Sequence, residues 1–479
     1  MGNLEEDDRQ SHRLRFDLRI LHHEPYLMFN TKAFEAIQYY NGLIRDNIDR
    51  SDDDLNHLLK RQRQENILFG DRPLSLSIRP TLLTEKAYSE LQDAVYLIRQ
   101  AVLKIADHFL DRESVLSELG ITPAERELIK IPTNVIRLSA TARFDAFMTD
   151  DSFRFMEING ESPAGAAYLS KLSVLYPELE TFQQFIKKFP VRFVDPLQHL
   201  IQGLMRVYRE EFGGTEIKPV FAIVDKLNIP TRHEFTLIQQ YLKAKGMECV
   251  ITDPRKLELR DGWLYGEGKR IDILYRRLLT NDYFEMEDEC QALLGGYKAQ
   301  KTCFLNTFRS NLVHKKSIFS LLTDRDYNCI LSTSQLEAIR KHIPWTRKLT
   351  YRKTRFGKRV IDLVDYVTRN KDEFVLKPND SYGGKGVSIG EELTESEWED
   401  AVRLAVLEGF VVQEVVRVKR EAFYLRKNDE WKSYPTLVDL APYLNGPLIG
   451  GCLTRTTAHR LANVTSGGGS IPMFILRHT

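Results

Sequence analysis

Lysine and glycine crowd together in the stretch Phe374-Val-Leu-Lys377-Pro378-Asn-Asp-Ser381-Tyr-Gly383-Gly384-Lys385-Gly386-Val-Ser-Ile. An apolar run ends in Lys377, a glycine-rich turn carries Lys385, and apolar residues resume after Gly386. That order reads as strand, loop, strand. Glycine lets backbone N–H groups turn inward and close on an anion with no Cβ in the way. The two lysines add point charges, so the loop suits a polyphosphate. It is not a Walker A loop, because no Ser or Thr follows Lys385 and no helix begins there. A β-hairpin with a basic tip would use the same residues.

A second constellation lies far upstream, in Arg143-Phe-Asp145 and, after the Thr149–Ser152 turn, in Phe155-Met-Glu157-Ile-Asn159. Read as a hairpin, the alternation of strand side chains puts Arg143 with Asp145 on one face, and Glu157 with Asn159 likewise. Two carboxylates and an amide oxygen make a hard, all-oxygen set that suits Mg²⁺ beside substrate phosphates. A solvated polar face is the bland alternative. Against it stand Phe144, Phe147, Phe155, Met156 and Ile158, which belong in a core, where an unpaired carboxylate is costly.

A Lys–Pro strand end, a glycine-rich loop, an R-x-D and an E-x-N together resemble the ATP-grasp ligases. In most of that superfamily E-x-N follows the lysine loop, whereas here it precedes it. This order resembles the circularly permuted ATP-grasp group, which includes glutathionylspermidine synthetase. The resemblance spans about residues 130–479. It implies an α/β (α+β) fold: a circularly permuted ATP-grasp module with a preceding βαβ domain and a helical N-terminal region. It further implies ATP and Mg²⁺, with Asp145, Glu157 and Asn159 holding the metal. Lys316 (or its neighbour Lys315), Lys377, Ser381, Gly383, Gly384, Lys385 and Gly386 would meet the nucleotide, with Gln413 and Glu414 at the hinge facing adenine. Arg143 and Arg455 would neutralise charge as the γ-phosphoryl moves. The activity implied is ATP-dependent joining of a carboxylate, from a peptide or an amino acid, to an amine through an acyl phosphate. The alternative is an ATP-binding regulatory or assembly protein of the same fold without ligase activity. No amidase domain precedes the module, so glutathione and spermidine themselves are not implied.

Composition fits such an enzyme. The 479 residues allow two or three subdomains. Lys+Arg 68 against Asp+Glu 67 gives no charge that would draw a nucleic acid. Cys249, Cys290, Cys303, Cys329 and Cys452 form neither a disulfide framework nor a zinc pattern. The acidic start lacks an apolar signal segment, Glu6 breaks a myristoylation pattern, and no apolar run approaches the ~18 residues of a membrane span. A cytoplasmic protein without nucleic-acid or membrane partners is expected.

The elements that must hold these groups divide the chain into residues 1–130, a helical region, and 131–190, the metal-binding hairpin. Residues 191–300 read as a βαβ substrate domain and 301–479 as the nucleotide lobes. Residues 1–15 are polar and expected to fray. From Lys32 to about Gln64 the pattern is helical, with Ser51-Asp-Asp-Asp as an interruption. Thr84 caps a long helix with Leu91, Val95, Ile98, Val102, Ile105 and Phe109 on its inner face. Another helix is expected near Pro123–Lys130. Asp195 and Pro196 open a helix, and Pro219–Asp225, about Thr231–Lys245 and Glu248–Thr252 spell strand, helix, strand. Asp261-Gly262 is a hairpin turn. Arg276 and Arg277 end a strand and would suit a substrate carboxylate or a surface ion pair. Residues 357–371 read as a helix, and Thr394 with Glu397 as a capping box. Phe410–Val416 reads as a buried strand broken by Gln413 and Glu414. Asp439 is a further metal candidate. The Gly467–Gly469 run is either a turn or a second loop against the nucleotide.

Overall fold

The computed structural model describes residues 24–149, 152–381, 383–457 and 469–477. Residues 1–15 and the glycines at 467 and 468 lie outside the described residues. Among those described, no helix is long and apolar enough to cross a membrane. All five cysteines are free thiols.

The chain is mixed α/β, and its centre is an antiparallel sheet in the order Gly469–Ile471, Leu448–Thr457, Glu430–Asn445, Thr141–Met148, Phe153–Asn159. Arg420–Lys427 pairs with the first half of Glu430–Asn445. The upstream hairpin is thus completed by strands from the far end of the chain: Leu440 pairs with Ala146 and Tyr443 with Arg143. In the hairpin itself Arg143 faces Asn159 and Asp145 faces Glu157, with a register shift after Asp145. Alternation then sends Phe144 and Ile158 to the opposite face. There they pack with Val95, Ile98 and Val102 of the helix Glu85–Phe109. Each such side chain contributes roughly 1.5–3 kcal/mol on burial. Thr84 caps that helix by accepting from Ala87 N.

A second antiparallel sheet runs Thr346–Lys348, Val411–Glu414, Phe374–Lys377, Ser388–Ile389. Its own core is built from Leu349, Phe374, Leu376, Trp398, Val402 and Val412. The helix Glu395–Leu407 covers it and opens with the Thr394/Glu397 capping box. A third sheet is parallel, in the order Cys303–Leu305, Ile273–Arg276, Phe221–Val224, Cys249–Thr252. The helix Arg232–Ala244 links its first two strands in sequence, so the βαβ unit is present. Asp261 and Gly262 both take positive φ, 49° and 79°, at the tip of the hairpin Glu258–Arg260/Trp263–Gly266.

Three local expectations are corrected. The first two helices, Glu24–Arg45 and Ile48–Gln64, break at Asn47, which accepts from Arg50 N, and not at Ser51. Ser51 Oγ instead donates to Ile44 O at 3.0 Å. Asp54 accepts from Glu180 N and Thr181 N at 2.8 and 2.9 Å, capping a distant helix. Residues 357–371 are not one helix. Lys353–Phe356 and Arg359–Asp362 form a hairpin around Gly357, and only Leu363–Arg369 is α-helical. Arg276 and Arg277 are neither at the surface nor open to a ligand carboxylate. Arg276 Nη2 lies 2.9 Å from Glu161 Oε1, and Arg277 Nη2 lies 3.4 Å from Glu234 Oε2. Both are buried, clasping the segment after Asn159 onto the parallel sheet.

Candidate functional site

The two antiparallel sheets face each other across a cleft of about 410 Å³. Asp145, Glu157, Asp439 and Arg455 line it from one side. Lys377, Ser381, Gly383, Gly384, Lys385, Gln413 and Glu414 line it from the other, and Lys316 enters at the junction. The hairpin and the glycine loop, far apart in sequence, therefore share one cavity. Three expected residues do not line it: Arg143, Asn159 and Gly386.

The acidic wall is an alternating chain of charges. Arg143 Nε and Nη2 donate to Asp145 Oδ1 and Oδ2 at 2.6 and 2.9 Å. Arg455 Nη2 donates to the same Asp145 Oδ2 at 2.7 Å, from 310 positions away in the chain. Arg455 also donates from Nε to Asp439 Oδ2 at 2.6 Å. Burial opposes ionisation of Asp145, but Arg143 and Arg455 outweigh it and hold the carboxyl down at about 2. Asp439 goes the other way. Burial, helped by the charge on Asp145, pushes it up to about 6 against the pull of Arg455. Arg143 stands behind Asp145, its Nη1 donating to Ala164 O at 3.0 Å, so it reaches the cleft only through that aspartate.

Glu157 is held more loosely. Lys316 Nζ is 3.4 Å from Oε2 and Asn159 Nδ2 is 3.3 Å from Oε1. Burial would raise this carboxyl, but Lys316 and Lys377 keep it below its ordinary value. Asn159 acts on the cleft only through this contact. Lys316 also donates from Nζ to Ser381 O, which ties it to the loop. Lys377 donates to Gln413 Oε1 at 2.6 Å. Burial lowers its pKa to about 8, with Glu157 resisting and Lys316 adding to the fall. Gly386, at φ +71°, packs on Pro378: a Cβ there would lie 2.8 Å from Pro378 Cγ.

Gln413 lines the cleft with its amide engaged by protein partners. Its amide bridges Lys377 and Thr346 Oγ1, the latter at 3.0 Å, and it is buried. Glu414 is the exposed one of the pair. The rest of the lining is largely apolar, with Val375 and Ile389 from the second sheet, Val387 leading into its last strand, Ala146, Met156 and Leu437 from the central one, and Val415, Val416 and Val418 after Glu414. These residues and the lining cations Arg417 and Arg420 were not singled out from sequence. The run Val415-Val-Arg-Val418 is a short polar/apolar signal that could have marked this part of the lining. The Gly469 end of the glycine run is a strand residue of the central sheet, not part of the cleft lining.

This mixed α/β fold, with two facing antiparallel sheets and a glycine loop between them, has a counterpart of known structure. Among solved structures, the apo form of a glutathione synthetase-like effector from Globodera pallida superposes with a TM-score of 0.54, at 13% identity over 89% of this chain and 96% of that one. No family model matches. An uncharacterised protein of Mycobacterium leprae is 22% identical over 438 residues, covering 85% of this chain and 73% of that protein. One of Mycobacterium tuberculosis is 22% identical over 441 residues, covering 85% and 74%.

Proposed function

We propose that this chain is an ATP- and Mg²⁺-dependent carboxylate–amine ligase, acting through an acyl phosphate. The observation that carries the reading is the meeting of Glu157 with Lys316 and Lys377 in one cleft beside the glycine loop. Pairing of Thr141–Met148 with Glu430–Asn445 supports a circularly permuted module. The boundaries 131–190, 191–300 and 301–479 are part of the same proposal.

The lining charges support a nucleotide. Lys316, Lys377, Lys385, Arg417, Arg420 and Arg455 face Asp145, Glu157, Glu391, Glu414 and Asp439. The balance favours an anion, so a dication is expected to enter with phosphates and not alone. Among the described residues no cluster of three or more His, Cys, Asp or Glu is arranged to hold a metal. The two carboxylates of the lining nevertheless fit Mg²⁺: Glu157 is loosely paired, Asp145 Oδ1 accepts from Arg143 alone, and Asn159, outside the lining, would steady Glu157. Both donors are oxygen, as this ion requires. When bound, the ion would neutralise charge on the phosphates.

The protein's own part is positioning and electrostatics. Lys316 and Lys377 hold the phosphates, and the loop closes over them. Arg455 meets charge developing on the γ-phosphoryl, while Arg143 keeps Asp145 ionised and in place. The carboxylate oxygen takes the γ-phosphoryl group, releasing ADP. The amine then displaces phosphate, with loss of a proton, to leave the amide. A peptide or amino-acid acid is the class best supported, in keeping with the glutathione synthetase-like neighbour.

Two measurements test this. ADP should appear only when a suitable acid is supplied, and hydroxylamine should capture the acyl phosphate as a hydroxamate whatever the natural amine. ATP binding with no acid-dependent ADP, over a broad set of peptides and amino acids, would leave a regulatory binder. Separately, Glu157→Gln should remove about 10–100-fold of the Mg²⁺-dependent part of ATP affinity, on the scale of a lost metal-site group. Its affinity in EDTA should be no weaker than the parent's, since the change removes a negative charge from the cleft. Equal Mg²⁺ dependence in both proteins would sink the metal assignment.

A further inference from the structure

The lysine next to the cleft lysine points elsewhere. Lys315 Nζ lies 2.6 Å from Glu125 Oε1 and 2.6 Å from Asp380 Oδ2, and only 4% of its side chain is exposed. Glu125 sits on the helix Pro123–Lys130, and Asp380 sits in the chain between Lys377 and the glycines. Asn281 Nδ2, from the helix Thr280–Phe284 beside the parallel sheet, donates to the same Asp380 Oδ2 at 3.0 Å. His314 Nε2 stands 4.0 Å from the other oxygen.

The preceding residue is held as firmly. Asn379 Oδ1 accepts from Ser317 N at 2.9 Å, and its Nδ2 donates to Leu119 O at 2.8 Å. Its carbonyl accepts from Lys316 N at 3.0 Å. Gly120 makes room for it: at φ +69°, a Cβ would fall 2.8 Å from Asn379 Nδ2. Among the described residues between Lys377 and Ser388 none pairs in a sheet, and these contacts hold the start of that stretch. Three distant segments converge on two residues of the loop.

We infer that Lys315, Glu125 and Asp380 form a positioning brace for the phosphate loop, and that this is a task of the N-terminal helices. The adjacent lysines divide the work. Lys316 faces the cleft and donates to Ser381 O, while Lys315 fixes the base from which Ser381 and the glycines project. The inference rests on the nucleotide reading of the cleft. It gives the residues 113–130 a part in binding without any contact to the ligand.

The test uses the sign of an effect. Asp380 is an anion beside a site for anions, so by Coulomb's law alone Asp380→Asn should tighten ATP. A brace predicts the reverse: weakening by about tenfold or more, as for lost outer-shell supports. Lys315 would keep its Glu125 partner, so the variant should fold, which apo thermal melting checks. Titration calorimetry with ATP and Mg²⁺ would compare the parent, Asp380→Asn, Lys315→Met and Lys315→Arg. Weakening in Asp380→Asn and Lys315→Met, with recovery in Lys315→Arg, is the expected pattern. ATP bound equally or more tightly by folded Asp380→Asn would overturn the brace while leaving the ligase reading intact. A parent that binds no ATP would overturn both.

Discussion

Lys377→Met should lower ATP affinity about a hundredfold near pH 7, the scale of about 3 kcal/mol for removing one partner of a buried charged pair. Lys377 is the strand-end cation of the glycine-loop stretch and lines the cleft opposite Glu157. Its environment adds a pH signature. Burial favours the uncharged amine and brings the pKa from 10.5 to about 8. If the protonated form is the one that holds phosphate, as proposed, the parent's ATP affinity should fall as pH rises through about 8. In the methionine variant that limb should be missing, because no proton is left to lose there. Calorimetric titrations across this range check both the size and the slope. A variant that binds ATP like the parent, with the same pH profile, would remove Lys377 from the site.

Arg455→Met should cost about 3–5 kcal/mol of stability, because it strips the partner from buried carboxylates. Asp439 would keep only its contact from Arg455 N, while Asp145 would keep Arg143. The loss should therefore fall mainly on Asp439. Adding Asp439→Asn to Arg455→Met should restore part of it, with a coupling of about 1–3 kcal/mol expected of directly touching groups. Urea denaturation of the four proteins closes the cycle. Additive losses would mean that Arg455 and Asp439 do not support each other as their 2.6 Å contact implies.

Local chemistry was readable without coordinates because it acts over a few residues. Thr84 and Thr394 cap helices by bonding N–H groups three positions on, and both caps are where the residues indicate. Asp261-Gly262 turns because those residues tolerate positive φ. The alternation in Arg143–Asp145 and Glu157–Asn159 was enough to pair them across a hairpin. Where a local cue competed with distant packing, the cue lost. Ser51 and Asp54 look like a helix break, yet both are consumed by partners outside their own turn.

The sequence alone determined the strand-loop-strand at Lys377, the acidic hairpin and their shared leaning toward phosphate and a hard metal. Tertiary structure alone decided which charges remain available for that chemistry. Arg455 reaches Asp145 Oδ2 from 310 positions away, so that oxygen is shared by two guanidiniums, Oδ1 keeps Arg143 alone, and Arg143 stands behind the aspartate. Gln413 accepts from Lys377 across two paired strands, and Lys315 and Lys316, neighbours in sequence, serve opposite sides of one loop. The physical reason is common to all of them. A residue's type and backbone period set its face and reach, but its partner depends on contacts between segments that only the folded sheets bring within 3 Å, about the span of a hydrogen bond.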